Sequence, residues 1–222
     1  MKMQESRAQW LSKPWSYLRE NGSYVFLSEV ANRPFHLLRN WMLARMLGVR
    51  RINIGPRAHL RGLSCMALGE DFTAGDGLWL EAVMRYRNER YSPKVVIGNQ
   101  VHVSNWCHIA CTNSIIIGDQ VLIGSKVIIT DHNHGIFGPG ATSPTIPPVL
   151  RPLDSDGFVR IEANVWLGDG VVVCPRVTMG EGSVAGANAV VTADVPPFTL
   201  VAGVPARPIR RYDPDLKLWV QV

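Results

Sequence analysis

Ile97-Gly98-Asn99-Gln100-Val101-His102, Val103-Ser104-Asn105-Trp106-Cys107-His108 and Ile109-Ala110-Cys111-Thr112-Asn113-Ser114 are consecutive six-residue units, each opening on an aliphatic residue. After Ile115-Ile116 the rhythm returns as IGDQVL from Ile117, IGSKVI from Ile123 and ITDHNH from Ile129. It resumes as IEANVW from Ile161 and runs unbroken to VTADVP from Val191. Every first position is Ile, Val, Leu, Met or Ala, and the fifth is usually Val or another small residue. An imperfect earlier set, IGPRAH from Ile54, LRGLSC, LGEDFT and AGDGLW, carries the pattern toward the N-terminus. Six is neither the period of a strand nor that of a helix. A coil turning every six residues accounts for it: first and fifth positions point inward, small second positions let the backbone turn, and stacked coils satisfy each other's backbone groups. Three units close one turn of about 18 residues, and the pairs Met66-Ala67 and Ile115-Ile116 fall between such groups.

Composition agrees. With 46% hydrophobic and 18% charged residues, 20 Gly and 15 Pro in 222 residues, the chain is neither disordered nor a coiled coil. No apolar run reaches the roughly 20 residues that cross a bilayer, and MKMQESRAQW lacks the apolar stretch of a secretory signal, so a cytoplasmic chain is expected. Cys65, Cys107, Cys111 and Cys174 are scattered and expected to stay reduced. The net charge of +5 is concentrated: residues 1–51 hold nine Lys/Arg against Glu5, Glu20 and Glu29, which leaves the remainder at −1. A basic head on a near-neutral body points to a local surface contact and not to a nucleic-acid groove.

Residues 1–51 lack the repeat and read as one or two short helices. Ser12 and Gly22 bracket the first, and Asn32 and Gly48 bracket Phe35 to Leu47. Such a segment either covers the open end of the coil stack or docks on a membrane surface. Two interruptions break the repeat, at about 81–96 and 135–160. The second is dense in Pro, Gly, Ser and Asp and follows His132 and His134 directly, a placement that favours function.

The hexads, the Asp131-His132-Asn133-His134-Gly135 stretch and the tail VAGVPARPIR together resemble the hexapeptide-repeat acyltransferases, within them the sugar O-acetyltransferase branch, strongly over 97–211 and weakly over 52–96. That resemblance implies a left-handed parallel β-helix over 52–211, a helical cap or docking segment over 1–51, a C-terminal tail over 212–222, a homotrimer and acetyl-CoA as donor. The family's catalytic histidine precedes a loop, and Asn133-His134 is the match, with His132 as its supporting neighbour or rival. One base near neutrality can take the proton of a sugar hydroxyl as it attacks the thioester carbonyl. By the same resemblance Trp166, Ala187, Thr192, Arg207 and Arg210 belong to the donor site and Asn105 to the acceptor side; His108 and Asp131 are grouped with Asn105 as acceptor-side candidates. Asp131 either orients a histidine or caps a turn. Asp169 stands where relatives commonly carry a small residue.

No metal is expected, since Cys107, Cys111, His102 and His108 lack the tight paired spacing of a closed zinc site. The function expected is acetyl transfer to a carbohydrate hydroxyl of a bacterial surface polysaccharide or its precursor, with the basic N-terminus as a peripheral contact for the membrane or a lipid-linked glycan. The rivals are acetyl transfer to an amino-sugar, inactivation of a xenobiotic, a zinc carbonic anhydrase of the γ type, and a non-catalytic assembly subunit.

Overall fold

The computed structural model describes residues 14–222. A helical run, Pro14–Leu47, precedes strands of two to seven residues, and the chain divides into two compact units, Met1–Met42 and Leu43–Val222. The run is one element broken only at Gly22, whose φ of 79° and ψ of 164° are not helical. It begins well before Asn32 and carries Pro34 inside. Gly48 ends it as expected: at φ 70° it takes the left-handed conformation cheap for glycine, and Val49 N–H donates back to Ala44 C=O at 3.0 Å. Ser12 and the basic residues Lys2, Arg7 and Lys13 lie outside the described residues.

From Ile52 onward the chain winds through three parallel sheets. The first face stacks Ile52–Ile54, Phe72–Ala74, His102–Val103, Leu122–Ile123, Trp166–Leu167, Val184–Ala185 and Thr199–Ala202. The second stacks His59–Arg61, Trp79–Ala82, His108–Cys111, Ile128–Thr130, Val172–Val173 and Val190–Val191. The third stacks Met66–Leu68, Lys94–Ile97, Ser114–Ile117, Phe158–Ile161 and Val177–Met179. First positions such as Ile109, Ile123, Ile129 and Leu167 and fifth positions such as Val121, Val127 and Val171 have no exposed surface. Each contributes about 1.5–3 kcal/mol of burial. Ala44 is buried with this core, and Leu43, Leu47 and Val49 pack on it, so the last helical turn covers the first coil.

The corners work differently from the expectation. The turn falls at the fourth position, where Arg57, Asp71, Gln100, Trp106, Gln120, Lys126, Asn164, Arg176 and Asn188 all have φ between 55° and 65°. Second-position glycines serve close approach instead: a Cβ on Gly118 would stand 2.7 Å from Ala163 N in the next coil. Third-position side chains accept from the coil before. Asn99 Oδ1 takes Glu70 N–H at 2.9 Å, Asp119 Oδ1 takes Asn99 N–H at 2.7 Å, and Asp169 Oδ1 takes Ser125 N–H at 2.6 Å. These ladders pair corner amides that no sheet reaches.

Both interruptions leave the corner between the second and third faces. The first is shorter than read, because Trp79–Ala82 and Lys94–Ile97 are strands, and its middle pairs as a small hairpin, Arg85–Tyr86 with Glu89–Arg90. The second spans 131–157, with the third face resuming at Phe158–Ile161. Residues 212–222, read as a tail, are part of a hairpin: Arg207–Asp213 adds antiparallel to Thr199–Ala202 and pairs with Leu218–Gln221.

Candidate active site

Asp131 leaves the strand Ile128–Thr130 just where the long excursion starts. One coil earlier, the corresponding corner is tight and turns three successive amides toward it. Asp131 Oδ1 accepts from Thr112 N–H at 2.8 Å and from the Thr112 hydroxyl at 3.1 Å, and Oδ2 accepts from the N–H groups of Asn113 and Ser114 at 2.8 and 2.9 Å. The Cys111 thiol donates to Oδ2 at 3.3 Å. The sixth donor is His132 Nδ1, 2.9 Å from Oδ1. Burial alone would raise the pKa of this carboxyl, but His132 and the amides overrule it and leave it below the usual carboxylate value. Both readings of Asp131 therefore hold: it caps the 112–114 corner and orients a histidine.

The side chain of His132 is only 12% exposed, whereas His134 is exposed. Its backbone is clamped at the foot of the excursion by a bridge to Leu153, with Gly135 N–H donating to Pro152 C=O at 2.8 Å and Asp154 N–H to Asn133 C=O at 2.9 Å. Its ring meets Tyr86 edge-on, centroids 5.3 Å apart. The excursion is further tied to the first hairpin by Tyr86 Oη donating to Val149 C=O at 2.9 Å and Leu153 N–H donating to Tyr91 Oη at 3.2 Å. Arg176 holds its far end through a two-pronged pair with buried Asp154, at 3.0 and 3.1 Å. Tyr86, Tyr91, Asp154 and Arg176 drew no notice in the sequence, for they lie far apart in it.

His108, on the outer side of the second face, stacks on Trp79 at 4.7 Å. Burial lowers its pKa and the charge of His132 lowers it further, against an opposing pull from Glu81. His108, Asp131 and His132 thus share one electrostatic neighbourhood. Asn105 is otherwise engaged: its Oδ1 is a corner acceptor for Asp76 N–H at 2.8 Å. Cys107 and Cys111 are buried, which pushes the Cys107 thiol up to about 11 and Cys111 higher. Neither is suited to be a thiolate nucleophile. Among the described residues no three His, Cys, Asp or Glu side chains gather as a metal site requires.

The residues expected on the donor side lie elsewhere in the chain. Trp166 is exposed on the first face between Leu122 and Val184. Ala187 is exposed at the next corner and Thr192 just past Val190–Val191. Arg207 and Arg210, three apart, would face opposite sides of a regular strand, but a register shift at Leu200/Val201 pairs them with Ala202 and Leu200 and turns both outward. They continue the exposed surface that includes Trp166.

No protein-family model matches the chain. WbbJ of Escherichia coli K12, which carries the name of a lipopolysaccharide biosynthesis O-acetyl transferase, is 40% identical over 185 residues, covering 82% of this chain and 90% of that protein. The galactoside O-acetyltransferase of the same organism is 33% identical over 143 residues, 62% of this chain and 63% of the relative. Among solved structures, AntD, an N-acyltransferase from Bacillus cereus in complex with dTDP and 3-hydroxybutyryl-CoA, superposes with a TM-score of 0.55 at 20% identity over 74% of this chain and 82% of its own, a likeness of fold. Parallel coils of hexads, the histidine-bearing corner and a WbbJ match running through most of both chains lead to one conclusion: this chain is an enzyme of the left-handed β-helix, hexapeptide-repeat acetyltransferase family.

Proposed function

We propose that the enzyme transfers an acetyl group from acetyl-CoA to a carbohydrate hydroxyl of a bacterial surface polysaccharide or its precursor, with His134 as general base. The observation that carries this reading is the corner itself: an accessible imidazole at a clamped position, beside a second imidazole fixed by a buried carboxylate. His134 takes the hydroxyl proton as the oxygen attacks the thioester carbonyl; the C–S bond then breaks and the proton passes to the departing thiolate. Direct transfer fits the raised thiol pKa values, which offer no cysteine intermediate. His132 is a positioning residue whose Nδ1 is committed to Asp131.

Trp166, Arg207 and Arg210 hold the donor, the guanidinium groups pairing with its phosphates, and Ala187 and Thr192 let its chain pass close to the backbone. Histidines and donor residues occupy different faces, which supports a homotrimer in which the first face of one copy meets the histidine corner of the next. Exposed Leu122 and Trp166 on the first face, and Trp79 and Ile128 on the second, suit such contacts. The basic N-terminal segment makes a peripheral contact with the cytoplasmic side of the membrane or with a lipid-linked glycan.

The test compares His134→Ala with His132→Ala by thiol release from acetyl-CoA in the presence of a sugar acceptor. His134→Ala should lose at least about 10²-fold in turnover while still binding donor. A loss confined to His132→Ala moves the base to the anchored ring, full activity in both variants removes the histidine-base reading, and a parent that releases no thiol with any sugar acceptor removes the acetyl-transfer reading. An amine acceptor used in preference to every hydroxyl would favour the N-acetyltransferase alternative.

A further inference from the structure

Beyond the break at Gly22, the helix Pro14–Leu47 leaves large apolar side chains in solvent. Tyr24, Leu27, Phe35, Leu38, Trp41 and Met42 are all exposed, Phe35 at 76% and Trp41 at 61%. At about 100° per residue they share one arc of roughly 120°, with His36, Arg39 and Asn40 outside it. The stripe is about 27 Å long at 1.5 Å per residue. Among the described residues no helix is long and apolar enough to cross a membrane, so the stripe suits lying on one.

Charge selects the occupant. From residue 30 to residue 69 the sequence has no Asp or Glu, while Arg33, Arg39 and Arg45 all fall within the helix there. Within 24–42 Glu29 stands against Arg33 and Arg39 and no acid follows it in the helix, so a second copy of this helix would leave most of its arginines without an acidic partner, the reverse of what paired helices use. An anionic bilayer supplies the missing negative charge, and its interface takes up Trp and Tyr rings with their polar edges in water.

We infer that residues 24–42 form an interfacial anchor, with this stripe sunk into the headgroup boundary of an anionic lipid bilayer. The inference rests on the peripheral-contact reading above and commits that contact to lipid and to these side chains. It places the enzyme where a membrane-bound acceptor is built.

The full chain is sedimented with vesicles of phosphatidylcholine, alone or mixed with phosphatidylglycerol, beside the variants Leu38→Gln and Trp41→Gln. Both changes sit on exposed positions, and thermal melting of each variant checks the fold. The parent should partition into the mixed vesicles and much less into pure phosphatidylcholine, and each variant should lose about tenfold in partition with unchanged melting. Equal partition of parent and variants overturns the inference and leaves a peripheral contact through some other surface. No partition of the parent into either vesicle overturns both. A variant that alters particle mass in light scattering without altering partition assigns the stripe to a second copy, which also overturns it.

Discussion

Replacing Asp131 with asparagine exchanges one oxygen for an NH2 group at almost constant shape, so its cost follows from the donors already counted. With the new nitrogen at the δ2 position it faces the N–H groups of Asn113 and Ser114, which lose the oxygen they donated to at 2.8 and 2.9 Å. At δ1 it faces the N–H of Thr112 and the ring nitrogen of His132. Either way at least two donors to a buried carboxylate lose their acceptor, a cost of about 2–6 kcal/mol at about 1–3 kcal/mol each. For a chain of this length each kcal/mol lowers the melting temperature by about 2–4 °C, so a fall of roughly 5–20 °C is expected at neutral pH.

Acidity gives a second readout. The folded pKa of Asp131 lies below its ordinary 3.8, so the stability it contributes is present above that value and drains away as the pH falls through the folded pKa. The gap between parent and variant should therefore narrow on acidification. The assay is thermal melting at neutral pH and near pH 3, with turnover measured alongside. A variant that melts within about 1 °C of the parent at neutral pH and keeps its turnover would refute the claim that this carboxylate fixes the corner.

Two further outcomes follow from the same geometry. Arg207→Ala and Arg210→Ala should each raise KM for acetyl-CoA by about tenfold with kcat at saturation nearly intact; unchanged constants in steady-state kinetics would put the donor phosphates elsewhere. Gly118→Ala should lower the melting temperature by several degrees, an overpacking cost of about 1–3 kcal/mol, because its Cβ would meet Ala163 N at 2.7 Å; a calorimetric scan that does not move would mean the coils can part without cost.

First positions were legible because a core tolerates only apolar residues there, and Ile97, Ile109, Ile123 and Leu167 are buried as their spacing demands. The corner conformation was not. Gln100, Trp106, Gln120 and Lys126 share a left-handed φ, yet nothing in their chemistry is common. Small second-position residues were noticed for the wrong reason, since close approach and turning both select glycine. At the site, Asp131 stood open between two roles because half of its six donors are main-chain amides, which leave no letter in the sequence. One signal was available: Thr112 to Ser114 lie one coil upstream, at separations of 17 to 19 residues. The docking of the excursion was beyond reach, as Tyr86 and Tyr91 meet Val149 and Leu153 across separations of 63 and 62 residues.

The tight corner at 112–114 sits between two coils whose matching corners have each been opened by an insertion, one after Ala82 and one after Thr130. The corner that stays tight is the one whose three successive amides are held by a single side chain of the next coil. Thr112, Asn113 and Ser114 are engaged, by a carboxylate that also holds the His132 ring. Residues grafted here would strip Asp131 of three of its donors, whereas the two neighbouring corners already carry added length.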